Sequence, residues 1–189
     1  MTYPELLILF VKQIMNNVKS KLPYLQAFEY ATLIRKYIRS NGVRIPTVIV
    51  GGLRRKSEYV KDIDLLVPLN PGQELGEISF TRSIADIRII SQSADGKKKK
   101  SFKIGIDDKE VYLDIFTCLK TDKPFAMLHH TGDKIFNIKT RVHAKKMGLK
   151  LNQYGIFKNE KKISKKFKTE RSILEYLGVE YLTPQKRNL

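Results

Sequence analysis

One cysteine and three histidines in 189 residues leave little material for several chemistries. Cys118 has no partner for an internal disulfide, which suits a reducing compartment. A small buried hydrophobe is its expected role, rather than a nucleophile. Long apolar runs are also missing. The longest, Leu6–Val11, falls far short of the roughly 20 residues a membrane span needs. It lacks the basic flank and small-residue cleavage site of a signal peptide. No internal repeat is visible. Acid is scarce, with 19 Asp and Glu against 36 Lys and Arg, a formal net charge of +17. The expectation is an intracellular protein with a polyanionic partner, most often nucleic acid.

A hydrophobic fraction of 42% supports a real core and excludes a disordered chain. The charge is uneven. Residues 1–94 hold 13 basic against 8 acidic residues, and residues 95–189 hold 23 against 11. The pattern predicts helices over 1–20 and from Pro23 to Asn41-Gly42, the second with Leu25, Phe28 and Ala31 on its apolar side. Strands are predicted over Thr47–Val50, Ile63–Val67 and residues 83–91. Asn70-Pro71-Gly72 reads as a turn. Lys97, Lys98, Lys99 and Lys100 read as a cationic loop. Ser101–Ile106 and Glu110–Thr117 flank Asp107-Asp108-Lys109 as a hairpin.

Residues 121–132 contain Pro124 and Gly132 and read as the end of the sheet region. Thr131 is the expected N-cap of a helix over about 133–147, closed by Gly148. In that helix Lys134, Asn137, Arg141 and Lys145 share one face, and Ile135, Ile138 and Val142 another. A small sheet around Gly155 follows, then the basic stretch Lys161–Lys168 and a last helix capped by Thr169. The fold class is therefore α+β. The expected division is a catalytic unit over 1–120, with a mixed sheet and supporting helices, and a smaller basic unit over 121–189.

The chemistry concentrates in Gly51–Asp64. A double glycine after Val48-Ile49-Val50 lets backbone N–H groups approach a phosphate, which Arg54 or Arg55 can neutralise. Asp62 and Asp64 alternate onto one strand face and sit together easily only around a cation. An all-oxygen donor set favours Mg²⁺ or Mn²⁺ over zinc. Asp114, in the apolar stretch Tyr112–Phe116, is a costly carboxylate without a partner. If its strand neighbours 63–67, three carboxylates meet. A lone D-x-D is more often a solvated strand face, and Gly51-Gly52 alone is only a tight turn.

Glycine turn, two aspartates and a third on a later strand resemble the nucleotidyltransferase superfamily. The run Leu128-His129-His130-Thr131-Gly132-Asp133-Lys134-Ile135-Phe136-Asn137, with Arg141-Val142-His143-Ala144 and Asn152-Gln153-Tyr154, resembles the nucleotide-selecting subdomain of family X DNA polymerases. The resemblance covers roughly residues 24–187 and points to a short viral member. It implies a template-directed polymerase that adds dNTPs to a primer 3′-hydroxyl and fills short gaps in DNA repair. Terminal transfer without a template, or DNA binding without catalysis, are the alternatives.

The resemblance implies Asp62, Asp64 and Asp114 as ligands of two Mg²⁺ ions, with Mn²⁺ able to substitute. It implies Gly51, Gly52, Arg54 and Arg55 at the triphosphate, and His129, His130, Thr131 and Gly132 at the sugar. Asn137 would reach the base edge and Arg141 the template strand, with Lys134, Lys145 and Lys97–Lys100 on DNA. Implied partners are gapped or nicked DNA, dNTPs and a DNA ligase, with the chain a monomer in host cytoplasm, virion or nucleus. Gly52 stands where the family usually has serine, Lys61 where many members have glycine, and Phe116 where a basic residue usually follows the third aspartate. Only about 45 residues precede strand one, so no lyase domain is expected.

Overall fold

The computed structural model describes residues 21–40, 46–75, 87–107 and 109–188. The expected helix over 1–20, the stop at Asn41-Gly42 and the start of the 83–91 strand lie outside them. Leu22–Pro23 (β1) leads into a helix over Tyr24–Ser40 (α1). Ala27, Tyr30, Ala31, Ile34 and Ile38 form its buried stripe, while Leu25 is 78% exposed and Phe28 46% exposed. The expected apolar side therefore holds only at Ala31. Ala27, Ala31, Ile34 and Ile38 seat this stripe on the sheet with Tyr30, whose hydroxyl donates to Asp107 at 3.0 Å, while Leu25 and Phe28 lie off it.

Val48–Ile49 (β2) is followed by one helical turn, Gly51–Arg54 (α2), then Tyr59–Val60 (β3) and Ile63–Leu69 (β4). The turn at Asn70–Gln73 closes with Gln73 N–H donating to the Asn70 carbonyl at 3.1 Å. Arg88–Gly96 (β5), Lys99–Ile106 (β6) and Lys109–Leu119 (β7) complete the main sheet. Its order is β2-β4-β7-β6-β5. The β4–β7 pair is parallel and the others are antiparallel. β1 and β3 pair separately. The cationic loop is shorter than expected: only Lys97 and Lys98 form the turn, and Lys99 and Lys100 already belong to β6.

Alternation along the strands divides the sheet. Ile63, Leu65, Val67, Phe102, Ile104, Val111, Leu113 and Ile115 face α1 and form the larger core. The opposite face carries Asp64, Leu66, Asp114 and Cys118. There Val50, Leu66 and buried Cys118 pack with Ala126.

Ala126 belongs to a helix the sequence pattern did not suggest, Lys123–Thr131 (α3). Pro124 opens it rather than breaking it, since proline tolerates the first helical turn. Lys134–Lys146 (α4) follows, capped by Asp133, whose Oδ1 accepts the Phe136 N–H at 2.6 Å. Thr131 is thus the end of α3 and not the cap of α4. On α4 the buried residues are Phe136, Thr140 and Ala144, while Ile135, Ile138 and Val142 are about half exposed. The periodicity holds, but the ridge that packs is the neighbouring one.

Lys150–Asn152 (β8), Gly155–Lys158 (β9) and Lys161–Lys162 (β10) form an antiparallel sheet. Glu170–Tyr176 (α5) begins with a reciprocal cap between Thr169 and Ser172. Phe125, Leu128, Phe136, Ala144, Ile156, Phe167, Ile173, Leu174 and Leu177 form a second core.

Candidate nucleotide and metal site

Parallel pairing of β4 with β7 sets Asp64 directly beside Asp114. Asp62 stands just before β4 and is half-buried. The three charges act on one another. Burial first, then the charges of Asp62 and Asp114, raise the Asp64 carboxyl to about 8, against the opposing charges of Lys99 and Arg55. At Asp64 burial and like charge outweigh the opposing charges of Lys99 and Arg55, an excess of negative charge. A divalent cation would relieve that excess, and the all-oxygen donor set fits a hard one. Among the described residues, no three His, Cys, Asp or Glu side chains are grouped as a metal cage. Asp114 has protein partners. Ser101 donates its hydroxyl to Oδ1 at 2.5 Å, and Lys99 Nζ lies 2.8 Å from Oδ2.

Neither Ser101 nor this role of Lys99 was foreseen. Both follow from the hairpin. The antiparallel register of β6 on β7 pairs Ile106 with Lys109, hence Ser101 with Asp114 and Lys99 with Phe116. Lys99 therefore supplies, from the next strand, a cation beside Asp114 while Phe116 has none to offer. Its ammonium lies 5.2 Å from the Phe116 ring centroid.

Gly51 turns the chain over this face with φ +63. An ideal Cβ there would lie 1.9 Å from Asp64 Oδ2, so no side chain fits between turn and carboxylate. At Gly52 the nearest atom to an ideal Cβ is Ser57 Oγ at 3.5 Å, an ordinary contact. The first N–H groups of α2 have no partners within its turn.

The two arginines differ. Arg54 is committed to a buried network. It donates to the Thr131 hydroxyl at 2.5 Å and to Glu170 at 3.1 and 2.5 Å. Glu170 also accepts from Arg187 at 2.7 Å. Burial alone would raise the Glu170 carboxyl, but the bonds and charges of Arg54 and Arg187 outweigh it and hold it below the usual range. Arg55 donates to the Thr131 carbonyl and to Asn188 Oδ1, both at 2.7 Å. Its burial lowers it, and Asp133, Asp64 and Asp62 act against that. Ser57 donates to the same Asn188 oxygen at 3.2 Å. Asn188 and Glu170 are further residues the sequence did not single out.

Thr131 is fully buried. Gly132 is needed for proximity, since a Cβ would come within 2.7 Å of the Phe136 ring. His130 stacks on Phe116 with centroids 4.0 Å apart. His129 accepts from the Arg141 guanidinium through Nδ1. Burial, aided by neighbouring charge, lowers His129 to about 4 and His130 to about 3, so both are neutral at pH 7. Asn137 donates to the His129 carbonyl at 2.7 Å, bridging α3 to α4. Arg141, Lys134 and Lys145 are exposed on α4.

Of the four consecutive lysines, Lys97 pairs with Glu74 at 2.7 Å and Lys98 lies over Tyr154 at 4.4 Å. Lys100 is buried against Asp95. With Lys99 on Asp114, each of the four lysines has a contact within the protein.

Residues 126–188 match the family model described as DNA polymerase beta thumb. Over 180 residues the chain is 36% identical to repair DNA polymerase X of African swine fever virus (strain Badajoz 1971 Vero-adapted), spanning 93% of this chain and 95% of the relative. The chain belongs to the family X DNA polymerases. It is a DNA-directed DNA polymerase of the repair class. Human DNA-directed DNA/RNA polymerase mu is 38% identical over 81 residues, 42% of this chain and 16% of that one. The ternary P/T complex of Leishmania infantum polymerase beta superposes with a TM-score of 0.73 at 19% identity, covering 93% of this chain and 79% of that one. Enzymes of this family are metal-dependent.

Proposed function

We propose that this family X polymerase adds a dNTP to a primer 3′-hydroxyl, opposite a template base, to fill short gaps in DNA. The observation that carries the proposal is the Asp64–Asp114 pair, aligned on neighbouring strands beneath a glycine turn that admits no side chain. The primer 3′-oxygen forms a bond to the α-phosphorus, the bond to pyrophosphate breaks, and the hydroxyl proton leaves to solvent. Asp62, Asp64 and Asp114 would hold two Mg²⁺ ions, or Mn²⁺ in their place. Bound cations of this kind lower the pKa of an attacking hydroxyl and offset charge on the leaving group.

The chain's own groups do the rest. The N–H groups of Gly51 and Gly52, with Arg55, receive the triphosphate. Arg54 positions that turn through Glu170 rather than meeting phosphate itself. Ser101 and Lys99 fix the Asp114 carboxylate. Neutral His129 and His130 and the Thr131-Gly132 turn bound the sugar, and Asn137 and Arg141 lie toward the base pair. The division near residue 120 separates a catalytic unit from a nucleotide-selecting one, each with its own core. The chain acts as a monomer inside an infected host cell, and its product is a nick suited to a ligase.

The experiment is single-nucleotide gap filling with Mg²⁺ or Mn²⁺, each dNTP tested against each template base. Template-matched incorporation that Asp64→Asn and Asp114→Asn abolish supports the proposal. Equal incorporation of all four dNTPs identifies terminal transfer instead. Undiminished activity in either variant removes the carboxylate assignment.

A further inference from the structure

Behind the start of α3, the 162–168 segment closes a cavity of about 480 Å³. Lys120, Lys123, Lys162, Lys165, Lys166 and Lys168 line it. The acidic side chain in its wall, Asp122, is buried and already held by Lys162 at 2.6 Å. So many ammonium groups repel one another unless a polyanion lies among them. A second cavity of about 500 Å³ shares Asp122 and Lys162 with the first and is rimmed by Lys97, Lys98 and Tyr154, with Glu74 held by Lys97. The two form one basic track.

The track has a fixed relation to the carboxylates. Thr117 N–H and hydroxyl hold the Lys98 and Lys97 carbonyls at 3.1 and 2.8 Å. Thr117 follows Asp114 on β7 by about 10 Å at the strand's rise per residue. From there the track leads past Leu119 to Lys120 and the 162–168 segment. Ten ångströms is about three steps along one DNA strand.

We infer that this track binds the phosphodiester backbone of the template strand where it runs on beyond the reacting base pair. This rests on the polymerase function proposed above. The track reads phosphate and not base, because its cationic donors are ammonium groups, the neighbouring rings of Phe125 and Phe167 are buried in the second core, and the Tyr154 ring is covered by Lys98.

The test is fluorescence anisotropy of the full chain on one primer–template duplex. The template 5′ extension is varied from one nucleotide to about eight, without dNTP. Wild type gains affinity once the extension exceeds about three nucleotides. Lys165→Ala/Lys166→Ala/Lys168→Ala matches wild type on the shortest extension and fails to gain on longer ones. Its affinity on the longest is lower by roughly tenfold, and its salt slope is smaller by about 2, at ~0.7 for each single-strand phosphate lost. Lys36→Ala/Lys103→Ala/Lys109→Ala, with the same charge change, behaves as wild type. An equal loss at every extension, an equal loss in the control variant, or a gain that follows the primer-side duplex overturns the inference. Binding does not depend on turnover. Failure of gap filling by wild type would count against the polymerase function and leave the anisotropy result standing.

Discussion

Two charge clusters lie on either side of the glycine turn, and they are built on opposite terms. At Asp62, Asp64 and Asp114 three carboxylates share a face, and Asp64 is raised to about 8. At Arg54, Glu170 and Arg187 two guanidiniums enclose one carboxylate, and Glu170 is held low. Arg187 is wholly buried, with one nitrogen lacking a hydrogen-bond partner among the described atoms, and its guanidinium lies 5.0 Å from the Phe136 ring centroid. In the first cluster like charges meet, and burial with the neighbouring carboxylates outweighs the cations Lys99 and Arg55 at Asp64. The second compensates its charge internally and ties the sheet to the C-terminal helices. Charge density alone does not mark a functional site; the balance of sign within it does.

That contrast can be broken most strongly at Asp114. Asp114→Asn should lower single-turnover gap filling by about 10³-fold or more, about 4 kcal/mol in barrier, while its unfolding midpoint stays near wild type. In the other cluster the effect should fall on stability. Glu170→Ala strands the buried Arg187 guanidinium and the partly buried one of Arg54 and should cost about 3–5 kcal/mol in urea unfolding.

A smaller effect separates the clusters by pH. The folded Asp64 keeps its proton to about pH 8, whereas the unfolded carboxyl loses it near 4. The folded state therefore binds more protons in that window, and metal-free stability falls as pH rises from about 4 to 8. Asp64→Asn should remove this slope and gain about 2 kcal/mol at pH 8 without divalent ions. Glu170 acts oppositely, its contribution being present above the unfolded pKa and lost as pH falls. The depressed His129 and His130 likewise cost stability as pH falls below 6.5. A Glu170→Gln variant that kept the acid-side loss unchanged would count against the pairing.

Lys99 offers a finer probe. Lys99→Met should lower the metal-free melting temperature and enlarge the shift produced by Mg²⁺, because it competes with the cation for Asp114. Exchanging partners in Lys99→Phe/Phe116→Lys should restore most of both values, since the two positions face each other across β6 and β7. The smallest change is Gly52→Ser. With room for a Cβ, it should alter stability by less than about 1 kcal/mol and lower the KM for dNTP severalfold.

How much of this was legible in the sequence depended on the range of the interaction. Asp62 and Asp64 could be read onto one face because strand alternation is a local rule, whereas their meeting with Asp114 could be stated only on condition that two distant strands are neighbours, which the parallel β4–β7 pair satisfies for Asp64. The caps at Thr169 and Gly148 were legible by local rules as well. The α3 helix is hidden in the sequence because Pro124 and Gly132 mark residues 121–132 as the end of the sheet, although proline at a helix start carries no penalty. Leu25, Phe28, Ile135, Ile138 and Val142 repeat correctly yet face outward, since periodicity does not say which stripe meets a partner. Glu170, Arg187 and Asn188 were invisible because each acts across a long stretch of chain.

The most direct measurement pairs two assays on two variants. Asp64→Asn and Glu170→Gln are each followed by single-turnover gap filling and by urea unfolding. The account predicts a crossover: Asp64→Asn folds at least as stably as wild type but fills no gap, while Glu170→Gln keeps more than about a tenth of the activity and unfolds at lower urea. Robust gap filling by Asp64→Asn, or an unchanged unfolding midpoint in Glu170→Gln, would contradict it.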